Sequence, residues 1–190
     1  TTLLTGAYAP RIGTQFHRRS KLVPFPDNGK MYPWYLQQAG YYTSNNSKTD
    51  YNVIVGEGWD DSSPTAIWRN REAGQPFLHV QNTALTHESS LHFSRNEMET
   101  TANKTPSDPV TLFPYFPDTP TFRYPHARYL DNHVRVDDYF ADYIEMLDED
   151  GVLDDTFIFY FGDHGGVLPR GKGYAYENGL HVPLVVYVPE

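Results

Sequence analysis

Thr156-Phe157-Ile158-Phe159-Tyr160-Phe161 runs directly into Gly162-Asp163-His164-Gly165-Gly166. A continuous apolar run that ends abruptly at glycines predicts a strand buried on both faces. Such a strand belongs to a sheet covered by helices, and ligands collect at the carboxyl ends of strands in sheets of that kind. Asp163 and His164 stand at that end, on a glycine-flanked turn, where a carboxylate and an imidazole can share a divalent cation. The same two residues also suit an aspartate that closes a turn beside a histidine that packs. The pair alone does not choose between these readings.

Just upstream, Val136, Phe140, Tyr143, Ile144 and Leu147 recur at helical spacing against an acidic face. They predict a helix over 126–150 that Gly151 ends, with His126 and His133 solvated. Just downstream, Leu184-Val185-Val186-Tyr187-Val188 reads as a second buried strand. Further toward the N-terminus a helix is expected over 32–39, with Pro33 in its first turn and Gly40 as its stop. Strands are expected at 41–43 and 77–81, and Ser63-Pro64 suggests the start of a short helix to about residue 72. Residues 1–30 read as a short helix and then a loop punctuated by Pro10, Gly13, Pro24, Pro26 and Gly29. Residues 88–125, rich in Pro and Ser and poor in periodicity, read as a functional loop. Buried strands alternating with amphipathic helices imply an α/β fold with a mixed, largely parallel sheet flanked by helices.

Composition narrows the function. The chain has 190 residues, enough for one domain, and carries a net charge of −9 with no long block of either sign. That balance excludes a nucleic-acid partner, which needs clustered Lys and Arg. With no cysteine there is neither a disulfide framework nor a thiolate metal site. No apolar run approaches the ~20 residues of a transmembrane helix. Trp34, Trp59 and Trp68 read as packing residues, and the triplets Asn45-Asn46-Ser47 and Asn103-Lys104-Thr105 fit glycosylation sequons that recur by chance.

The turn at Asp163-His164 gains meaning from the segment downstream of it, Gly171-Lys172-Gly173-Tyr174-Ala175-Tyr176-Glu177-Asn178-Gly179-Leu180-His181-Val182-Pro183 and then a strand. This order resembles the type I sulfatases of the alkaline phosphatase superfamily, in which a strand ends in Asp followed by Asn or His and a Gly-Lys-x-x-x-Tyr-x-x-Gly-x-x-x-Pro segment comes next. Thr1-Thr2-Leu3-Leu4-Thr5-Gly6-Ala7-Tyr8 is similar to the family's continuation after its nucleophile motif, Cys or Ser-x-Pro-Ser-Arg. Ala39-Gly40-Tyr41-Tyr42-Thr43 with Ser47-Lys48 is similar to the segment carrying a sulfate-binding lysine, and Phe77-Leu78-His79-Val80 with Thr86-His87 to the segment carrying a sulfate-contacting histidine. The wording around Lys48 and His87 is nearest to bacterial polysaccharide sulfatases and heparan N-sulfatases.

The resemblance implies an alkaline phosphatase-like fold of which residues 1–190 form an interior part, with the formylglycine precursor five residues before Thr1. It implies hydrolysis of sulfate esters or sulfamates, on a sulfated saccharide or aryl sulfate, with Ca²⁺ as cofactor. Asp163 and His164 become metal ligands, with the remaining carboxylates upstream. Lys48 and Lys172 neutralise sulfate oxygens, His87 contacts sulfate and protonates the leaving group, and Arg170 joins the lysines in a cationic basin within an acidic protein. Where the family has a histidine two residues after the first lysine, as the base that expels sulfate, this chain has Asp50. Either Asp50 takes that role, or His17 fills the gap, or regeneration differs. The chain by itself is expected to be inactive and to leave sheet edges open. A periplasmic or secreted location is also implied by the resemblance. The alternatives are a phosphodiesterase or phosphonate monoester hydrolase of the same superfamily, and a non-catalytic paralogue that binds sulfated glycans.

Overall fold

A helix-stop glycine sets the first boundary of the sheet. The computed structural model describes residues 1–16, 20–21, 23–25, 29–54, 56 and 58–189, so His17, and Pro26 of the expected loop, lie outside the described residues. The chain divides into two units, Thr1–Asn82 and Thr83–Glu190.

In the first unit the short helix α1 spans Thr2–Thr5. Helix α2 spans Tyr32–Gln38 with proline in its first turn, one residue shorter than expected. Gly40 then takes φ 90°, and the Tyr41 N–H returns to the Leu36 carbonyl at 3.0 Å. A left-handed residue just past a helix is where glycine costs least. The chain turns at once into β1, Tyr42–Asn45, which lies between β2, Asp61–Ser62, and β3, Phe77–Val80. Both pairings are parallel, with Thr43 opposite Leu78 and Ser44 opposite both His79 and Asp61. The carboxyl ends of all three strands therefore share one edge.

The middle strand is not the apolar run that a central parallel strand usually shows. Thr43, Ser44 and Asn45 are fully buried and polar. Each is satisfied by a specific partner. The Thr43 N–H and hydroxyl both donate to Asp60 Oδ2, at 2.7 and 2.9 Å. Ser44 Oγ lies 2.8 Å from His79 Nδ1, while His79 Nε2 lies 2.9 Å from Gln81 Oε1 of the side-chain amide. An amide oxygen only accepts, so Nε2 carries the ring proton and Ser44 donates to Nδ1. Burial pushes the His79 ring below the ordinary histidine range, the Gln81 bond opposing, which keeps this neutral arrangement.

Below the sheet edge Leu4, Ile12, Met31, Tyr51 and Val53 form a buried cluster, with Trp59 packed on it and donating to Tyr51 Oη at 3.1 Å. The helix expected from Ser63-Pro64 is instead a turn followed by a 3₁₀ segment, Trp68–Asn70. Tertiary packing decides this. Trp68 is buried with its ring stacked on Phe77 at 5.8 Å and against His79 at 5.4 Å. Holding that ring on the sheet outweighs the local capping signal.

The second unit is organised on one long helix. A 3₁₀ turn, Glu88–Leu91, and α3, Arg95–Thr100, occupy part of the stretch expected to be loop. Helix α4 spans Pro120–Glu149, beginning six residues before the expected start. Pro125 lies inside it as the sixth residue, where it cannot donate the i→i−4 bond to Thr121. Val136 and Leu147 of the expected stripe are buried, whereas Ile144 is exposed. His126 is also buried, not solvated, with Nδ1 donating to the Phe122 carbonyl at 2.6 Å and its ring edge-on to Phe116. His133 is exposed as expected.

After α4 come β4, Ile158–Phe161, the short α5, Glu177–Leu180, and β5, Leu184–Tyr187. The two strands pair antiparallel, with Phe159 opposite Val186 and Phe161 opposite Leu184. Tyr160 packs edge-on against Phe140 of α4 at 4.9 Å. The expectation of two strands buried on both faces does not hold among the described residues. Phe159 is 60% exposed and Leu184 65% exposed, so the opposite face of this pair is apolar and open. None of the described helices is long and apolar enough to cross a membrane.

Candidate active site

In the first unit the loop after β1 carries Lys48 and Asp50, both exposed. It is fixed by amides. Asn45 Nδ2 donates to the Lys48 carbonyl and to Ser62 Oγ, both at 3.0 Å. Asn46 Nδ2 donates to the Asn82 carbonyl at 2.7 Å, and the Asn82 N–H returns to Asn46 Oδ1 at 2.9 Å. Ser47 turns the chain at φ 70°. Lys48 is thus presented from the carboxyl edge of the parallel sheet, on a loop locked to the one after β3. Asn45 is fully buried, which closes the first sequon to any glycan.

In the second unit the residues expected to act converge through backbone contact. Gly165 N–H donates to the Gly179 carbonyl at 3.0 Å, and Lys172 N–H donates to the Gly166 carbonyl at 2.8 Å. A Cβ at Gly165 would sit 1.9 Å from the Asn178 carbonyl oxygen, and one at Gly171 would sit 2.0 Å from that of Gly166. Both partners are backbone, so no side-chain movement relieves the clash. These glycines let the Asp163-His164 turn and the Lys172 loop touch main chain to main chain.

On the turn, His164 Nδ1 lies 2.7 Å from the Gly165 carbonyl oxygen. A carbonyl only accepts, so in the neutral ring the Nε2 lone pair is left outward, 3.7 Å from Asp163 Oδ1. Two donor atoms that close suit neighbouring positions in the shell of one cation. The carboxylate is the hard oxygen donor that calcium takes, whereas an imidazole nitrogen is the poorer partner for it. The pair therefore fits as a share of a divalent site, with affinity resting on Asp163. Among the described residues, no group of three or more His, Cys, Asp or Glu side chains could hold a metal ion.

His87 caps the Glu88–Leu91 turn, with its Nδ1 accepting the Ser89 N–H at 3.2 Å. A backbone N–H can only donate, so the neutral ring carries its proton on Nε2. The next residue, Glu88, reaches Lys172. Its Oε2 is 2.7 Å from Nζ, with the two side chains 41% and 31% exposed. Sequence reasoning missed this carboxylate, although its place beside His87 was a signal. An anion that meets Lys172 competes with Glu88 for the ammonium. With a sulfate ester as the test anion, Glu88→Gln in the full-length protein should lower KM up to about fivefold, the equivalent of a partly exposed ion pair worth 0.2–1 kcal/mol. Steady-state kinetics checks this, and a raised KM would show instead that Glu88 holds Lys172 in position.

Arg170 is exposed, at φ 70°, with its guanidinium carbon 4.5 Å from the Tyr115 ring centroid and 4.4 Å from that of Tyr176. The structure brings Asp163, His164, Arg170, Lys172 and His87 into one unit. Lys48 and Asp50 belong to the other.

Comparison with known proteins agrees with this reading. A family model described as Sulfatase matches residues 27–190. The chain is 33% identical to an ulvan-active sulfatase of Formosa agariphila over 98% of its own length and 38% of the relative's. It is 24% identical to an arylsulfatase of Hemicentrotus pulcherrimus over 100% of its own length and 44% of that protein. A human N-sulphoglucosamine sulphohydrolase is 35% identical over 44% of the chain and 17% of that protein. The chain thus spans less than half the length of each of these relatives. A solved structure of a protein in complex with its substrate D-glucosamine-2-N,6-O-disulfate shares the fold, at a TM-score of 0.59 and 16% identity, over 98% of this chain and 60% of that one. A strand ending in Asp163-His164, glycines that join that turn to the Lys172 loop, and a family match over most of the sequence lead to one conclusion: the chain belongs to the sulfatase family.

Proposed function

We propose that the full-length protein hydrolyses sulfate esters or sulfamates of a sulfated saccharide. The observation that carries this reading is the contact between the Asp163-His164 turn and the Lys172 loop, made through Gly165, Gly166 and Gly171. It holds a hard anionic ligand and a cation on one rigid piece of backbone. Lys172 neutralises sulfate oxygens as negative charge shifts toward the leaving oxygen, and preorganised donors of this kind act without reorganising. His87 is assigned the leaving-group proton: as an imidazolium it gives the Nε2 proton to the leaving oxygen and returns to the neutral ring whose Nδ1 accepts the Ser89 N–H. The family resemblance gives Lys48 a sulfate-binding role and Asp50 that of a base for regeneration; both belong to the first unit, and the reading of the second does not rest on them. The nucleophile in this reading is a formylglycine, which this chain does not contain. Calcium, held in part by Asp163 and His164, would supply a fixed positive charge for sulfate and nucleophile. A periplasmic or secreted location belongs to this proposal and rests on the likeness to bacterial sulfatases.

The test compares kcat/KM of the full-length protein on 4-nitrophenyl sulfate and on bis(4-nitrophenyl) phosphate. The sulfate is expected to be the better substrate. Preference for the phosphate diester would make the protein a phosphodiesterase, and binding of sulfated sugar with turnover of neither would make it a glycan-binding protein.

A further inference from the structure

Arg170 has an aromatic setting that hydrolysis of a sulfate ester does not require. Phe113 and Tyr115 stack in parallel, 5.4 Å apart at 3°. Tyr174 and Tyr176 stack 6.0 Å apart at 12°. The Arg170 guanidinium bridges the two pairs, contacting one ring of each. Asn178 Nδ2 donates to Tyr115 Oη and ties the Phe113 loop to α5. All four rings are exposed, Tyr174 at 56% and Phe113 at 47%. Exposed stacked aromatics in a loop are not core, and they hold the guanidinium plane still.

The guanidinium edge is uncommitted. Arg170 makes no ion pair among the described residues, in a chain with net charge −9. Two acids of this unit are engaged elsewhere, Glu177 with His181 at 2.9 Å and Glu88 with Lys172 at 2.7 Å. A guanidinium held over two aromatic rings, with no ion pair of its own among the described residues, keeps N–H donors that can match an oxyanion bidentately. Arg170 stands two residues from Lys172, so their Cα atoms are at most ~7 Å apart. That spacing is comparable to the distance between substituents on one sugar ring or on adjoining rings.

We propose that Arg170 binds a second anionic group, sulfate or carboxylate, on the saccharide whose scissile sulfate meets Lys172, while Tyr174 and Phe113 take the apolar face of a neighbouring pyranose ring. This deepens the sulfatase reading and rests on it. The substrate class becomes a saccharide with at least two anionic groups, one of them retained.

The experiment measures competitive inhibition of 4-nitrophenyl sulfate turnover by the full-length protein, using three probes. These are a monosulfated glucose, a disulfated disaccharide, and a monosulfated disaccharide that contains a uronic acid. Wild-type protein should bind at least one two-anion probe about tenfold more tightly than the monosulfated sugar, and which one identifies the second group as sulfate or carboxylate. Arg170→Ala should bring that ratio close to one, and Arg170→Lys should restore it only in part, since an ammonium neither stacks nor forks. Tyr174→Ala should weaken binding of both disaccharides alike, whereas Lys104→Ala should keep the wild-type ratio. A ratio of one in the wild type, or a ratio retained in Arg170→Ala, overturns the proposal. If aryl sulfate is not turned over, the sulfatase reading falls, and calorimetric binding of the same probes still decides the role of Arg170.

Discussion

Asp163→Ala in the full-length protein is expected to abolish turnover of 4-nitrophenyl sulfate and to remove calcium binding in the same step. Asp163 is the hard oxygen donor on the turn, while the partner at 3.7 Å is an imidazole nitrogen. A calcium ion draws its affinity from a small number of charged oxygens, so deleting one is not made good by a neighbouring nitrogen. His164→Asn should do much less harm, because its carbonyl oxygen suits the cation at least as well. Calorimetric titration with calcium, alongside kcat, separates the two variants. Calcium affinity unchanged in Asp163→Ala would show that the carboxylate serves only to shape the turn.

Lys172→Ala is expected to lower kcat by about 10²–10³-fold, the loss seen when one preorganised donor is taken from a reaction centre. The side chain is 31% exposed and its pair with Glu88 is open to water, so the same change should cost under ~1 kcal/mol of stability. Rate and melting temperature should thus part company. Lys172→Arg should recover a fraction of the rate, since the fork places its charge differently. Lys104, exposed in the second unit, tolerates Ala if the effect is local. Wild-type turnover in Lys172→Ala would mean that this lysine is a surface residue paired with Glu88 and nothing more.

How far these positions could be read from the sequence depends on the range of the forces that set them. Gly40 and Gly151 stop helices through local backbone geometry, and both boundaries were legible for that reason. The carboxyl-terminal turn of β4 was legible because the apolar run and the glycines are contiguous. The polar centre of β1 was not. Thr43, Ser44 and Asn45 are tolerated there only because Asp60, His79 and Ser62, distant in sequence, satisfy them. The start of α4 was placed too late because the apolar stripe that marks it begins only at Val136, while its first turns carry Pro120 and Pro125. The open face of β5 was hidden for another reason: an apolar run reports what a strand can bury, not what covers it. At the site, residue types with fixed chemistry could be picked out singly. Glu88 against Lys172, and Tyr115 against Arg170, are long-range pairings that no spacing within a segment encodes.

The glycine contacts also divide the loop for protein engineering. At Gly165, Gly171 and Gly179 any side chain would run into main-chain oxygen within about 2 Å, so those positions define a frame that does not vary. Arg170, Tyr174 and Tyr176 are exposed, with no part of their side chains among the atoms that crowd these glycines. A library that diversifies 168–170 and 174–176 while holding the three glycines would change what the loop grasps without disturbing where Lys172 and Asp163 stand. If the proposed roles of Arg170 and Lys172 hold, substrate range and reaction chemistry would be separately adjustable on a single stretch of about fifteen residues.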